Sequence, residues 1–229
     1  EVATPGYYSI YLPDNKVLAE MTCTPHVSLY EFKYDGPERG VYIDFDSVIG
    51  RRHVRNSDVN VVNGTDIEGS IEVSRWVHRT YYFAIRFDTE LKVVTDGTVS
   101  SDGLAVADAT EATVIVAFAS NYRLSPKVFS EWDNKKKLDP IDPRPEARQL
   151  LAAAVEKGYA AQRAEHVRDY SALYGRVSLD LGGDAADAKV PTDELLSRYR
   201  KGGQSRYLEE TYFQYGRYLL ISSSRPGTL

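Results

Sequence analysis

The chain has one cysteine and one methionine in 229 residues, no apolar run of membrane length, and no long run of one charge sign. A single thiol, Cys23, excludes an internal disulfide. In an alternating strand it is expected to be a small buried hydrophobe rather than a nucleophile. Without about 18 consecutive apolar residues, no segment reads as a membrane-spanning helix. Net charge is -5, and the one basic cluster, Lys135-Lys136-Lys137, is flanked by Asp133 and Asp139. The basic stripe that a nucleic-acid partner requires is missing. His26, His53, His78 and His166 form no ligand-spaced pair, and one cysteine does not complete a zinc site, so no metal is expected. There is no G-x-G-x-x-G, no phosphate-binding loop and no G-x-S-x-G elbow, so no cofactor and no serine nucleophile is implied. The opening Glu1-Val2-Ala3-Thr4-Pro5 has neither an initiator Met nor a signal peptide, which reads as the interior of a longer reading frame.

What is present is tyrosine and periodicity. Seventeen tyrosines are many for this length. Tyr and Trp suit carbohydrate recognition, because a flat ring stacks on sugar C–H groups while its polar edge meets hydroxyls; packing within strands and helices is the plainer use of most of them. From residue 6 to about 120 the apolar positions alternate. Tyr8, Ile10 and Leu12 share one face; so do Val17, Ala19, Met21 and Cys23; so do Tyr30, Phe32 and Tyr34. Val41, Ile43 and Phe45 follow, then Ile67, Ile71 and Val73, then Tyr81, Phe83, Ile85 and Phe87, and finally Val114, Val116 and Phe118. Period two with short Gly, Asp and Asn turns predicts an antiparallel β-sandwich over residues 1–122.

After Asn121 the period changes. A Pro-rich, charged loop leads into a helical reading from Glu146 to Tyr174, broken at Gly158. Arg176 to Gly183 reads as a short strand returning to the sandwich edge. Residues 123–190 are therefore expected to form a linker of helices and a strand. Pro191-Thr192-Asp193-Glu194 opens a helix with Thr192 as its N-cap and two acids at its positive end. A Tyr-rich helix begins near Arg206, with Tyr212, Tyr215, Leu219 and Leu220 near helical spacing and Tyr218 and Ile221 widening the stripe. A helix apolar over so much of its girth needs several neighbours, so residues 191–229 are expected to start a larger helical domain.

Candidate chemistry is sparse. Asp44 and Asp46 form a carboxylate pair two residues apart, but their alternation with Ile43 and Phe45 reads as a solvated strand face. Trp76, His78, Arg79, Tyr81 and Tyr82 are the densest aromatic and hydrogen-bonding cluster. Trp76, His78 and Tyr81 are the candidate sugar-binding residues. Asn63-Gly64-Thr65 matches the glycosylation sequon, a short pattern that also arises by chance. No convincing catalytic set is present.

Two stretches resemble known families. His166-Val167-Arg168-Asp169-Tyr170 through Gly182, then Pro191-Thr192-Asp193-Glu194-Leu195-Leu196, then Tyr212-Phe213-Gln214-Tyr215-Gly216-Arg217 through Leu229, resemble glycoside hydrolase family 95 across roughly 144–229. Its members are α-L-fucosidases and some α-L-galactosidases. The first half lacks that family's opening Leu-Gly-Asn-Gly motif. Pro5-Gly6-Tyr7-Tyr8-Ser9-Ile10 and Ala19-Glu20-Met21-Thr22-Cys23-Thr24-Pro25 are instead similar to the sandwich domain of glycoside hydrolase family 92, the calcium-dependent α-mannosidases. Both resemblances imply an N-terminal β-sandwich of supersandwich type, a helical linker and an (α/α)6 barrel that carries an inverting active site. Inversion needs a carboxylic acid and a second group that activates water on the opposite face of the sugar. The family 95 resemblance implies that those groups lie on barrel segments beyond Leu229, so no catalytic residue transfers to this chain. The expected protein is a secreted or periplasmic α-L-fucosidase without a cofactor, whose partners are a carbohydrate substrate and the remainder of the same polypeptide. The alternatives are a calcium-dependent α-mannosidase and a non-catalytic carbohydrate-binding or scaffold sandwich.

Overall fold

The computed structural model describes residues 1–36, 40–41, 43–45, 53–74, 79–87, 91–93, 104–106, 111–133 and 136–224. Packing divides the chain into two units, Glu1–His166 and Val167–Leu229. Among the described residues the first has ten strands: β1 Val2–Thr4, β2 Tyr7–Leu12, β3 Val17–Cys23, β4 Val27–Tyr34, β5 His53–Val61, β6 Asp66–Ser74, β7 Arg79–Phe87, β8 Leu91–Val93, β9 Leu104–Val106 and β10 Glu111–Ser120. Eight of them form one antiparallel sheet in the order β1-β2-β3-β4-β10-β7-β6-β5, and β8 pairs with β9. Helices follow: α1 Pro126–Ser130, α2 Arg144–Lys157, α3 Tyr159–Tyr174, α4 Thr192–Arg200 and α5 Arg206–Ser223. An antiparallel β domain followed by helices is the expected fold class.

Strand alternation sorts the large sheet into two faces. On one, Val17, Tyr34, Ile67, Phe83, Ile85, Phe87, Ala112, Val114 and Val116 form a buried cluster flanked by Tyr30, Phe32 and Ile71. On the other, Val27, Leu29, Ala84, Ile115, Ala117 and Ala119 meet Ala147, Leu151 and Ala154 of α2. Small residues at 84, 117 and 119 let the helix approach the sheet closely, and Leu29 becomes fully buried beneath it. At the rim of this contact Arg148 of α2 donates Nε and Nη2 to the two carboxylate oxygens of Glu68 on β6, at 2.6 and 2.7 Å.

Gly69 sits opposite Phe83, whose ring stacks on Phe45 at 4.7 Å between centroids. A Cβ at Gly69 would collide with the backbone oxygen of Asp58 and with the Phe83 ring, so only glycine fits.

Two expected strands are not strands. Val41, Ile43 and Phe45 do pack on the first cluster, so their alternation marks the inward side correctly, but they lie in irregular backbone. Alternation reports which side is dry; ladder pairing is a separate condition. Arg176–Gly183 forms no ladder either. Its backbone is held instead by the start of α5: Glu210 accepts from the Leu181 N–H, the Arg206 guanidinium donates to Leu181 O at 3.3 Å, and Gly183 lies against the Tyr207 backbone.

The helix punctuation is mostly as expected. Gly158 has φ +73°, a conformation glycine adopts without steric cost, and separates α2 from α3. The buried Gln162 donates its amide to Ala154 O at 2.8 Å and Gly158 O at 3.3 Å, adding a side-chain bond to carbonyls that also accept the Gly158 and Gln162 backbone N–H groups. Asp193 and Glu194 occupy the first turn of α4, but Pro191 is its cap residue and Thr192 is already inside the helix, so the expected Thr192 cap bond is not made. The true side-chain cap is Ser205 on α5, which accepts from Leu208 N at 3.1 Å and donates to Asp187 at 2.6 Å. Within the second unit Tyr170 stacks on Tyr174 and tilts against Tyr218, and Arg217 lies 4.4 Å over the Tyr174 ring. Of α5, only Leu208 is buried; Tyr212 is 78% exposed and Leu220 64%.

Candidate functional site

Of the three candidate sugar-binding residues, Trp76 and His78 lie outside the described residues. Tyr81 is half-buried on β7, between Ile71 of β6 and Ser120 of β10. It shares the face of Phe83, while Tyr82 shares that of Ala84, so the two tyrosines of the proposed cluster point to opposite sides of the sheet. Arg79 stacks its guanidinium 4.1 Å over Tyr122. Asp44 is exposed, as a solvated acid should be, and Asp46 lies outside the described residues.

The densest polar constellation among the described residues is elsewhere, on the helix-facing side of β2, β3 and β4. Glu20 is 7% exposed. It accepts from the Tyr7 hydroxyl and from Lys33 Nζ at 2.7 Å, and Arg163 of α3 reaches it at 3.6 Å. The Arg163 guanidinium also lies 3.6 Å over the Tyr7 ring. Lys33 contacts Glu31 at 3.1 Å as well. The Lys33 ammonium, then the Tyr7 hydroxyl, hold the Glu20 carboxyl below its usual range, and Glu20 and Glu31 raise the Lys33 ammonium in return. Burial pushes the Tyr159 phenol up to about 12. A carboxylate kept ionised by several donors is a poor general acid, and a phenol kept neutral is a poor base. This cluster is therefore a clasp that ties Arg163, in the first half of α3, to the sheet.

A second clasp holds the Asn63–Asp66 turn. Arg86 donates Nη2 and Nε to Asp66 at 2.5 and 2.6 Å, and Asn63 Nδ2 donates to it at 2.9 Å. Arg86, ahead of Asn63, keeps the Asp66 carboxyl below the ordinary range.

At the end of β3, Cys23 is exposed, not buried as its strand position suggested. The last residue of a strand has neighbours on fewer sides than those before it. Its backbone N–H points at His166 Nδ1 at 3.3 Å, and Nε2 of the same ring faces Cys23 Sγ at 4.0 Å. Thr22 Oγ1 is 3.0 Å from the same Nδ1. Spacing along the chain gave no signal for these pairs, because His166 lies 144 positions from Thr22. Among the described residues no group of three or more His, Cys, Asp or Glu could hold a metal ion. None of their helices is long and apolar enough to cross a membrane.

The described residues thus form a large antiparallel sheet with a helix packed on it, and a helical segment with a Tyr-rich face. The chain belongs to the family described as glycosyl hydrolase family 92 N-terminal domain, whose model matches residues 1–128, more than half its length. Residues 158–229 match the glycosyl hydrolase family 95 catalytic domain. The fold is similar to that of the family GH92 alpha-mannosidase from Bacteroides thetaiotaomicron, with a TM-score of 0.57 and 20% identity over 78% of this chain and 25% of that one. Among curated relatives, "Alpha-L-fucosidase 2" of Arabidopsis thaliana is 38% identical over 146 residues, covering 61% of this chain and 16% of the relative. "Probable alpha-fucosidase A" of Aspergillus niger is 44% identical over 81 residues, covering 35% of this chain and 10% of the relative. The chain thus spans a small part of the length of the relatives it matches.

Proposed function

We propose that this chain serves an inverting exo-glycosidase of the α-L-fucosidase type, acting on the ends of glycans or oligosaccharides. The observation that carries the reading is the joint match of residues 158–229 to a family 95 catalytic domain and of 146 residues to an α-L-fucosidase. In this reading the β domain braces an (α/α)6 barrel, α5 contributes to that barrel, the acid and the water-activating group lie on other barrel segments, and the protein is secreted or periplasmic. No cofactor is required. The fully committed Glu20 and Asp66 side chains support a bracing role, since neither is available to protonate a leaving group.

The test is sugar release from aryl α-L-fucosides by the full-length gene product. Fucose release that survives a chelator supports the proposal. The family 92 match favours one second reading, a calcium-dependent α-mannosidase. The described residues offer no cage for that ion, so it would have to be held elsewhere. Chelator-sensitive mannose release with no fucose release would establish this second reading and defeat the first.

A further inference from the structure

The turn between β5 and β6 carries chemistry that the glycosidase reading does not use. Asn63-Gly64-Thr65 is the only N-x-Ser/Thr sequence in the chain. Asn63 is exposed, and the valines beside it, Val61 and Val62, are exposed as well. The Asn63 side chain is held by four hydrogen bonds. Its Oδ1 accepts from the backbone N–H of Thr65 at 2.8 Å, from the backbone N–H of Asp66 at 2.8 Å and from the Thr65 hydroxyl at 3.0 Å. Its Nδ2 donates one hydrogen to Asp66 Oδ2 at 2.9 Å. Asp66 is itself anchored by Arg86, so the turn is rigidly based.

An amide nitrogen is a poor nucleophile because its lone pair is delocalised onto oxygen. Losing an N–H proton moves negative charge onto that oxygen. Three donors converging on Oδ1 stabilise the charge in the manner of an oxyanion hole. The hydrogen given to Asp66 is one of two on Nδ2, so the other can be replaced without breaking the turn.

We propose that Asn63 is an N-glycosylation site. The inference rests on the reading that the protein is exported, here through a compartment with an oligosaccharyltransferase. The co-reactant is a lipid-pyrophosphate-linked oligosaccharide. Nδ2 attacks the anomeric carbon, a C–N bond forms, and the C–O bond to pyrophosphate breaks. The lipid pyrophosphate leaves with the electron pair, and the amide proton passes to a base of the transferase. The attached glycan covers Val61 and Val62.

The experiment expresses the chain behind a secretion signal in a eukaryotic host and treats both the medium and the membrane fraction with peptide N-glycosidase. The expected result is one enzyme-sensitive mobility step, with the Asn63 peptide converted to its Asp form on release. Asn63→Gln and Thr65→Ala remove the step, and Thr65→Ser keeps it. Unmodified Asn63 in chain recovered from the medium overturns the proposal. Chain trapped in the membrane fraction is scored by the same digestion, and export is read separately by fractionating cells that make the full-length gene product with its own N-terminus, where a cytosolic location would refute the export reading instead.

Discussion

The two units use apolar residues in opposite ways. In Glu1–His166, strand β10 buries six of its ten residues, and its alternate side chains feed two separate clusters, one on each face of the sheet. In Val167–Leu229, helix α5 runs for eighteen residues and buries only Leu208, leaving Tyr212, Tyr215, Leu219 and Leu220 exposed. Similar greasiness therefore has different consequences. The central strands of the first unit bury their apolar side chains, although Phe129 and Trp132 after them stay exposed, and the second unit displays along one helix a surface of the kind that marks an interaction site.

That contrast can be broken by mutation. The largest effect is expected for Phe87→Ala, which empties a fully buried position and should cost about 3–5 kcal/mol in chemical denaturation of the chain. A loss below 1 kcal/mol would mean that the sheet core is not packed as described.

Next comes Asp66→Ala, which removes the partner of the half-exposed Arg86 and should cost about 2 kcal/mol. The linkage has a definite sign. Asp66 and Glu20 titrate below their ordinary values of 3.8 and 4.5, so their contribution is fully present above those values and is lost as pH falls through the lower, folded-state values. Stability from these two groups should be flat from pH 7 to 5 and fall in more acid solution, and Asp66→Asn should flatten part of that fall. An unchanged acid limb in the variant would remove Asp66 from the account.

Gly158→Ala acts through the backbone alone. A Cβ there meets no atom within 4 Å, so the cost is that of holding alanine at φ +73° and ψ 163°, about 1–3 kcal/mol. Smallest is Leu220→Ser, expected within about 0.5 kcal/mol because the residue is largely in water. A loss of 2 kcal/mol or more would show that the α5 face is covered in solution, which would sharpen the contrast by identifying which residues need a partner.

Much of this was legible in the residues. Alternation located the face of β3, β4, β7 and β10 that feeds the first cluster, and Gly158 marked a helix end; on β2 it failed, because the buried residue is Ser9, on the side opposite Tyr8, Ile10 and Leu12. Val41, Ile43 and Phe45 show the limit: period two found their inward side, yet nothing local specifies whether a neighbouring strand stands ready to pair. Arg176–Gly183 shows it again, because its partners are Glu210 and Arg206, some 25 to 29 positions away. The same holds for the polar groups. Glu20, Lys33, Tyr7 and Arg163 meet through sheet register and helix docking, which a motif search along the chain does not see. The aromatic cluster misled in one respect: adjacent tyrosines on a strand look dense in sequence but face opposite ways.

The borders of the large sheet bear on how the protein behaves when concentrated. One border, β1, is three residues long, too short to template a neighbouring molecule's backbone over any useful distance. The other, β5, carries Arg55, Asn56, Asp58 and Asn60 and breaks register between Val54 and Asn56. A kinked, charged margin is a poor seed for fibrils. Among the described residues, both borders of the large sheet are thereby guarded against growing into a filament.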